Sequence, residues 1–458
     1  MLITLFAGAF ILSIVIIVHE FGHFIVAKKL GIFVKVFSVG FGRKILKKRF
    51  GETVYAISAL PFGGYVKFAG ESEEGESKEA PRGQATDEVD DSEIDPAKYF
   101  INKRPLVRSA VVFAGPFFNY LLAVFIYVVM IAAQGLRLPP PTTTIGQITA
   151  GAPADSVGLE VNDKILSISG VPVENWEDVV NVIIEKKDSV MTFAIERHGK
   201  KMDIDFKPRL VGRRIEIGFE PFIPAAIGQV KRDGPAYEAG MRPGDIITAI
   251  NDTTVTSFYD LELIVYANAE VPLQFRWLAG GVAHVDTITP VSKKMLKPGS
   301  KTEFEIVGQI GVGPTFATEH VSIPRAALMG FESANNMVEE IVSFLKLLFT
   351  GKAGIDALGG PILITQMAGD MARWGFNYLI YFLAFFSINL CIFNLLPILP
   401  FDGGHLALFA YEGIAKRRVN RRFKELLTQA GFILLILLMV FVVVIDLTRC
   451  TGNSPTLF

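Results

Sequence analysis

The chain has 458 residues, 50% hydrophobic and 20% charged, with a formal net charge of −1 and a mean hydropathy of +0.40. That balance is too apolar for an ordinary soluble enzyme and too charged for a bare bundle of membrane helices, so both kinds of region are present. The lack of a basic stripe with interleaved aromatics argues against a nucleic-acid partner, and Cys391 and Cys450, the only cysteines, form neither a disulfide framework nor a cysteine zinc site.

Four apolar segments match the length of about 20 residues that a membrane span needs: 2–26, 110–133, 378–399 and 426–447. The first has no basic leader and no small-residue cleavage site, so it reads as a retained span rather than a signal peptide. Inside it stands His19-Glu20-Phe21-Gly22-His23. Positions i and i+4 share one helix face, so both imidazoles reach one Zn²⁺ at about 2.0–2.1 Å, and Glu20 is set to take a proton from water activated by the metal. Left unpaired at membrane depth, each group would cost about 2–3 kcal/mol or more. The motif is therefore read as a metal site, with His19 and His23 as ligands and Glu20 as the catalytic base.

Residues 31–108 form the next region. The turn-punctuated stretch from Gly40 to Phe68 predicts hairpins, with alternation over Val54, Tyr55, Ala56 and Ile57. An ordinary hairpin is the plain reading; binding an extended substrate as an added strand is the functional one. Residues 71–95 are acidic, lack aromatics and read as a flexible excursion.

Beyond the second span (109–135), an internal repeat emerges. Ile145-Gly146-Gln147-Ile148 recurs as Ile227-Gly228-Gln229-Val230, and Pro153-Ala154, Gly158-Leu159 and Asp163 recur at the same offset of 82 residues. That offset is a domain's length, giving domains at 137–222 and 223–314. Each copy reads as strand, Pro-Ala helix, turn, strand and helix, and resembles a PDZ domain of the bacterial type. The second keeps a Pro243-Gly244-Asp245 turn, whereas the first has Asn162 in the glycine slot, tolerable because Asn visits the left-handed region. The copies either bind peptides by strand addition or act as a spacer. Residues 323–376 read as amphipathic helices, of which 325–349 either lies along the membrane surface or packs against the domain pair.

Two helix ligands leave zinc in need of a third protein group. The third span (377–402) is interrupted by Pro397 and Pro400, after which Asp402 emerges. Asp402 is the candidate third ligand, with His405 as competitor. Asn389 and Asn394 in the same span either offer amide donors to a substrate carbonyl or glue helices together. A basic loop (403–425), the fourth span (426–448) and a short tail (449–458) follow. Lys28 to Arg49 and Lys416 to Lys424 are rich in Lys and Arg, which makes both loops cytoplasmic. The termini and the segment 135–377 then face the opposite side, and Asp402 falls at the depth of His19 and His23.

The H-E-x-x-H motif, Gly115-Pro116-Phe117-Phe118-Asn119 in span two, the tandem PDZ-like copies, and Asn394 to Pro397 leading to Asp402-Gly403 together resemble bacterial site-2 proteases of the RseP type over nearly the whole chain. Phe401 stands where that family has the leucine of its Leu-Asp-Gly motif. The fold class expected is a polytopic α-helical membrane protein with four transmembrane helices, a membrane-associated β-hairpin region and an inserted tandem PDZ pair. The resemblance implies an inner-membrane zinc protease that cuts the transmembrane helix of an already-trimmed anti-sigma factor in an envelope stress response, and also remnant signal peptides. It implies further that the hairpin region is a membrane-reentrant loop aligning substrate as an added strand. The rival readings are a membrane-anchored PDZ adaptor with a structural or inactive metal site, and a metal transporter. The second is weakened because the ionisable groups cluster at one depth.

Overall fold

The computed structural model describes residues 2–70, 93–211, 214–296, 304–351 and 359–450. Most of the acidic excursion (71–92) therefore lies outside the described residues. The chain divides into two compact units, Met1–Ala133 with Ser322–Ser454, and Gln134–Val321.

In the first unit, α1 (Leu2–Lys29) is followed by β1 (Val34–Phe50), β2 (Thr53–Phe68) and α2 (Pro105–Gln134). After the second unit come α3 (Ile323–Phe349), α4 (Pro361–Trp374), α5 (Phe376–Asn394), α6 (Asp402–Ala415) and α7 (Arg421–Cys450). Among the described residues, α1, α2, α5 and α7 are long and apolar enough to cross a membrane. At 1.5 Å per residue α1 extends about 42 Å, more than the hydrocarbon thickness of about 30 Å. One core joins Ile11 and Val15 of α1 to Ala123 of α2, Ala334 of α3, Ala368 of α4 and Ile388 of α5. Small residues at these contacts let the backbones approach, the usual basis of helix packing in lipid. In contrast, α7 has only 11% of its apolar window buried, against 28–39% in the other three, so nearly all its girth suits lipid. Its deepest tie is Asp446, which accepts hydrogen bonds from the backbone N–H groups of Gly360, Ile362 and Leu363 at 3.1 Å each, capping the start of α4.

The third span closes earlier than 402. Helix α5 ends at Asn394, and Leu395–Phe401 is irregular around Pro397 and Pro400 before α6 begins. The segment read as a basic loop from 403 is thus helical as far as Ala415. Its first part, Leu406 to Ala410, is made of good helix formers, and the helix stops where Lys416 adopts φ 49°.

Both β1 and β2 fold over on themselves, so each contributes two stretches to one sheet. Val36 faces Lys67 and Val54, and Val39 faces Gly64 and Ile57. Val54, Tyr55, Ala56 and Ile57 also pair with Arg49, Lys48, Lys47 and Leu46. The expected substrate strand is therefore an interior one, with ladder partners on both sides and no open edge for an added strand. The stretches left with a single partner are 63–68 and 44–50. At its base the sheet packs Val34 and Phe68 against Phe24 of α1, Val111 of α2 and Phe409 of α6.

The second unit consists of two halves with the same strand order. In the first, Ile145–Ile148 pairs with Phe219–Pro221, and a four-stranded sheet runs 171–172, 164–168, 191–197, 200–206. In the second, Ile227–Val230 pairs with Val312–Pro314 and the sheet runs 253–254, 246–250, 273–279, 282–288. Each half has its own core, around Ile145, Phe193 and Phe206 in one and Ile227, Met241 and Phe275 in the other. Asn162 and Gly244 adopt φ of 74° and 97° at equivalent turns. The longer helix of each half starts with a capping box, Asn175 with Asp178 and Ser257 with Asp260.

Candidate metal centre

His19 and His23 lie one turn apart on the same face of α1, and both are buried. Their Nε2 atoms are 3.1 Å apart. Asp402 enters from the first residue of α6, with Oδ2 at 3.1 Å from His19 Nε2 and 3.5 Å from His23 Nε2. These are the only three His, Cys, Asp or Glu side chains among the described residues whose donor atoms converge in this way.

The approach is set by glycines. On Gly22 a Cβ would strike the Ala114 carbonyl oxygen of α2, and on Gly115 one would run into both imidazole rings. On Gly403 it would strike the Leu395 and Leu396 carbonyls, so only glycine lets the chain after the Pro397–Pro400 break fold back tightly enough to aim Asp402 at α1. Arg108, near the start of α2, pairs with Glu412 of α6 and stacks over Phe409 with its guanidinium carbon 4.5 Å from the ring centroid.

The donor set fits a metal. His23 Nδ1 lies 2.9 Å from the Val111 carbonyl. A carbonyl only accepts, so Nδ1 carries the proton and Nε2 presents a lone pair to the cluster. Asp402 Oδ2 is buried and makes no hydrogen bond of good geometry despite its closeness to the imidazoles. Two imidazole nitrogens and a carboxylate oxygen from two elements are a donor set of the kind that holds catalytic zinc.

Glu20 is half-buried on the neighbouring face of α1. A Cβ on Gly64 would be 3.6 Å from its Cγ, so the singly partnered stretch 63–68 passes beside it, while Val54–Ile57 lies two strands further in, beyond 34–39. Asn394 points its Nδ2 at His19 Nδ1, 3.5 Å away. Asn389 donates instead to the Phe385 carbonyl of its own helix at 2.9 Å. His405 is outside the cluster, on the side of Phe409, with ring centroids 6.3 Å apart. The sequence reading gave no individual role to Asn119, whose Nδ2 is 3.3 Å from His19 Nδ1. The signal available was a lone amide in an apolar span, one turn beyond a glycine.

The family model described as peptidase family M50 matches residues 7–438. A Vibrio cholerae protein whose name includes "zinc metalloprotease" is 32% identical, covering 96% of this chain and 97% of its own. The regulator of sigma-E protease RseP of Salmonella typhimurium is 30% identical over 96% of this chain and 97% of its own. Among solved structures, the PDZ domain of an SdrC-like protein from Listeria monocytogenes aligns with 21% of this chain and 90% of its own at 18% identity, with a TM-score of 0.17. The family model over residues 7–438, with the Vibrio and Salmonella relatives at 32% and 30% identity over 96% of the chain, identifies the chain as a member of peptidase family M50, the site-2 metalloprotease family, and as a metalloendopeptidase.

Proposed function

We propose that the chain is a zinc-dependent intramembrane protease acting on transmembrane segments of single-span proteins already trimmed by another protease. The observation that carries this reading is the convergence of His19 Nε2, His23 Nε2 and Asp402 Oδ2, with His23 Nδ1 turned away to the Val111 carbonyl. His19, His23 and Asp402 hold the zinc. When bound, zinc supplies a Lewis acid that lowers the pKa of water and polarises the scissile carbonyl. Glu20 accepts the proton of the attacking water and returns it to the leaving amine. Asn394, half-buried and facing the cluster, donates its amide to the substrate carbonyl. Asn389 is the weaker candidate because its amide is engaged with Phe385.

A helical substrate has its carbonyls already hydrogen-bonded and must be held extended before cleavage. Strand addition serves this purpose, and the single-partner stretch 63–68 beside Glu20 suits it better than the interior residues 54–57. By the charge rule the loops at 28–49 and 416–424 are cytoplasmic, so the termini and the 134–321 unit face the periplasm of an inner membrane. The name of the Salmonella relative, a regulator of sigma-E protease, supports a place in sigma-factor control, and we assign an anti-sigma factor as one substrate and remnant signal peptides as others. The repeated halves, read as a tandem PDZ pair, filter substrates by bulk or by binding peptides. Membership of the peptidase family disfavours the adaptor alternative.

The test uses the purified full chain in detergent, with zinc measured by elemental analysis and cleavage of a fluorescent transmembrane reporter. One zinc per chain and metal-dependent cleavage are expected. A chain that binds zinc but leaves every transmembrane reporter intact would overturn the proteolytic reading.

A further inference from the structure

A histidine that gives one ring nitrogen to a metal is held by what the other nitrogen meets. For His23 the partner is the Val111 carbonyl of α2. For His19 two amides compete, with Asn119 Nδ2 at 3.3 Å and Asn394 Nδ2 at 3.5 Å from Nδ1. An imidazole bound through Nε2 keeps its proton on Nδ1, so an amide nitrogen there would set one N–H against another.

Asn119 has the means to resolve this. It is 0% exposed, and its Oδ1 is buried without a hydrogen-bond partner among the described residues. A primary amide has nearly the same shape either way round, and its hydrogen bonds decide which end goes where. With Oδ1 towards the ring, the orphaned oxygen and the His19 Nδ1–H satisfy each other. Asn394, half-buried at the end of α5, stays available to substrate. Asn119 is also fixed in place, since its backbone carbonyl accepts from Ser387 Oγ of α5 at 2.8 Å.

The spacing along α2 points the same way. Val111, Gly115 and Asn119 follow one another at intervals of four and share one helix face. They offer, in turn, an acceptor for His23, the space for both rings and an acceptor for His19. We propose that Asn119 is a positioning residue whose Oδ1 accepts the hydrogen bond from His19 Nδ1–H, so that one face of α2 orients both imidazoles. This rests on the reading that His19 holds the metal through Nε2.

The test is zinc affinity, measured by chelator competition on purified full-length chain carrying Glu20→Gln, so that cleavage is not the readout. Asn119→Leu keeps the size and removes the acceptor; Asn119→Asp keeps the acceptor. Zinc binding about 10- to 100-fold weaker is expected for Asn119→Leu, with Asn119→Asp within a few-fold of the parent. Unchanged affinity in Asn119→Leu would overturn the proposal, and so would equal losses in both variants with both folded. If Asn119→Asp does not fold, proton NMR of the zinc-loaded parent decides. A downfield, exchange-protected His19 Nδ1–H that is lost in Asn119→Leu supports the proposal, and a signal that is identical in the two refutes it. A parent that binds no zinc at all would instead remove the metal reading, and this inference with it.

Discussion

Asp402 and Asp446 are both acids carried by the membrane unit, and their oxygens meet opposite surroundings. Asp446 is 2% exposed and accepts from three backbone N–H groups at the start of α4. Asp402 Oδ2 faces two imidazole nitrogens and makes no hydrogen bond of good geometry. One carboxylate closes off unpaired donors, whereas the other keeps a lone pair for something absent from the polypeptide. Burial and residue type therefore do not distinguish a structural acid from a functional one; the chemistry opposite the oxygens does.

Asp402→Ala should bring the largest change, with zinc affinity falling steeply and cleavage abolished while the chain stays folded, because two histidines alone leave too few protein donors. Full zinc stoichiometry and affinity in that variant would transfer the third-ligand role to another group and erase the contrast with Asp446. Glu20→Gln is next: cleavage should vanish with zinc retained, and reporter cleavage at the parent rate would refute the assignment of the base. Asp446→Ala should leave zinc bound but lower thermal stability by about 1–3 kcal/mol, the cost of leaving buried donors unpaired. Loss of zinc together with stability would show that the two acids are not independent.

The smallest effect is expected in the second unit, where Ser257→Ala should cost about 1 kcal/mol by removing a helix cap. Burial tends to raise the Asp260 carboxyl in this cap, but hydrogen bonds from Ser257 and Thr256 outweigh it and hold the group below its usual value. A depressed folded value means that the cap's contribution is present at neutral pH and lost as pH falls through that value. Urea midpoints of this chain and of Asp260→Asn should therefore converge in acid; a constant gap down to strongly acidic pH would contradict the assignment.

The convergence of His19, His23 and Asp402 was legible in the sequence because its signals are local. The i, i+4 spacing sets His19 and His23 on one face, and the proline break plus loop charge sets Asp402 at their depth. Long-range pairing was not legible. Alternation at Val54–Ile57 marks a strand but cannot tell an interior strand from an edge, and only the fold-over of β1 and β2 gives these residues partners on both sides. Helix α6 was hidden because Gly403-Gly404 and the basic residues beyond it resemble a loop. Asp446 finds its partners more than eighty residues away at Gly360 to Leu363, and no pattern within span four points to them.

Helix α2 supplies none of the three donors, yet it touches every element that does. Val111, Gly115 and Asn119 seat the two rings of α1, and Arg108 fastens α6 through Glu412. It works as a jig that sets the parts on either side to one gauge. Moving it by a single residue, about 1.5 Å along its axis, would misalign both rings and the carboxylate together. Substitutions on that face of α2 that remove an acceptor or fill the space at Gly115 should therefore disturb the cluster even though none of them removes a donor.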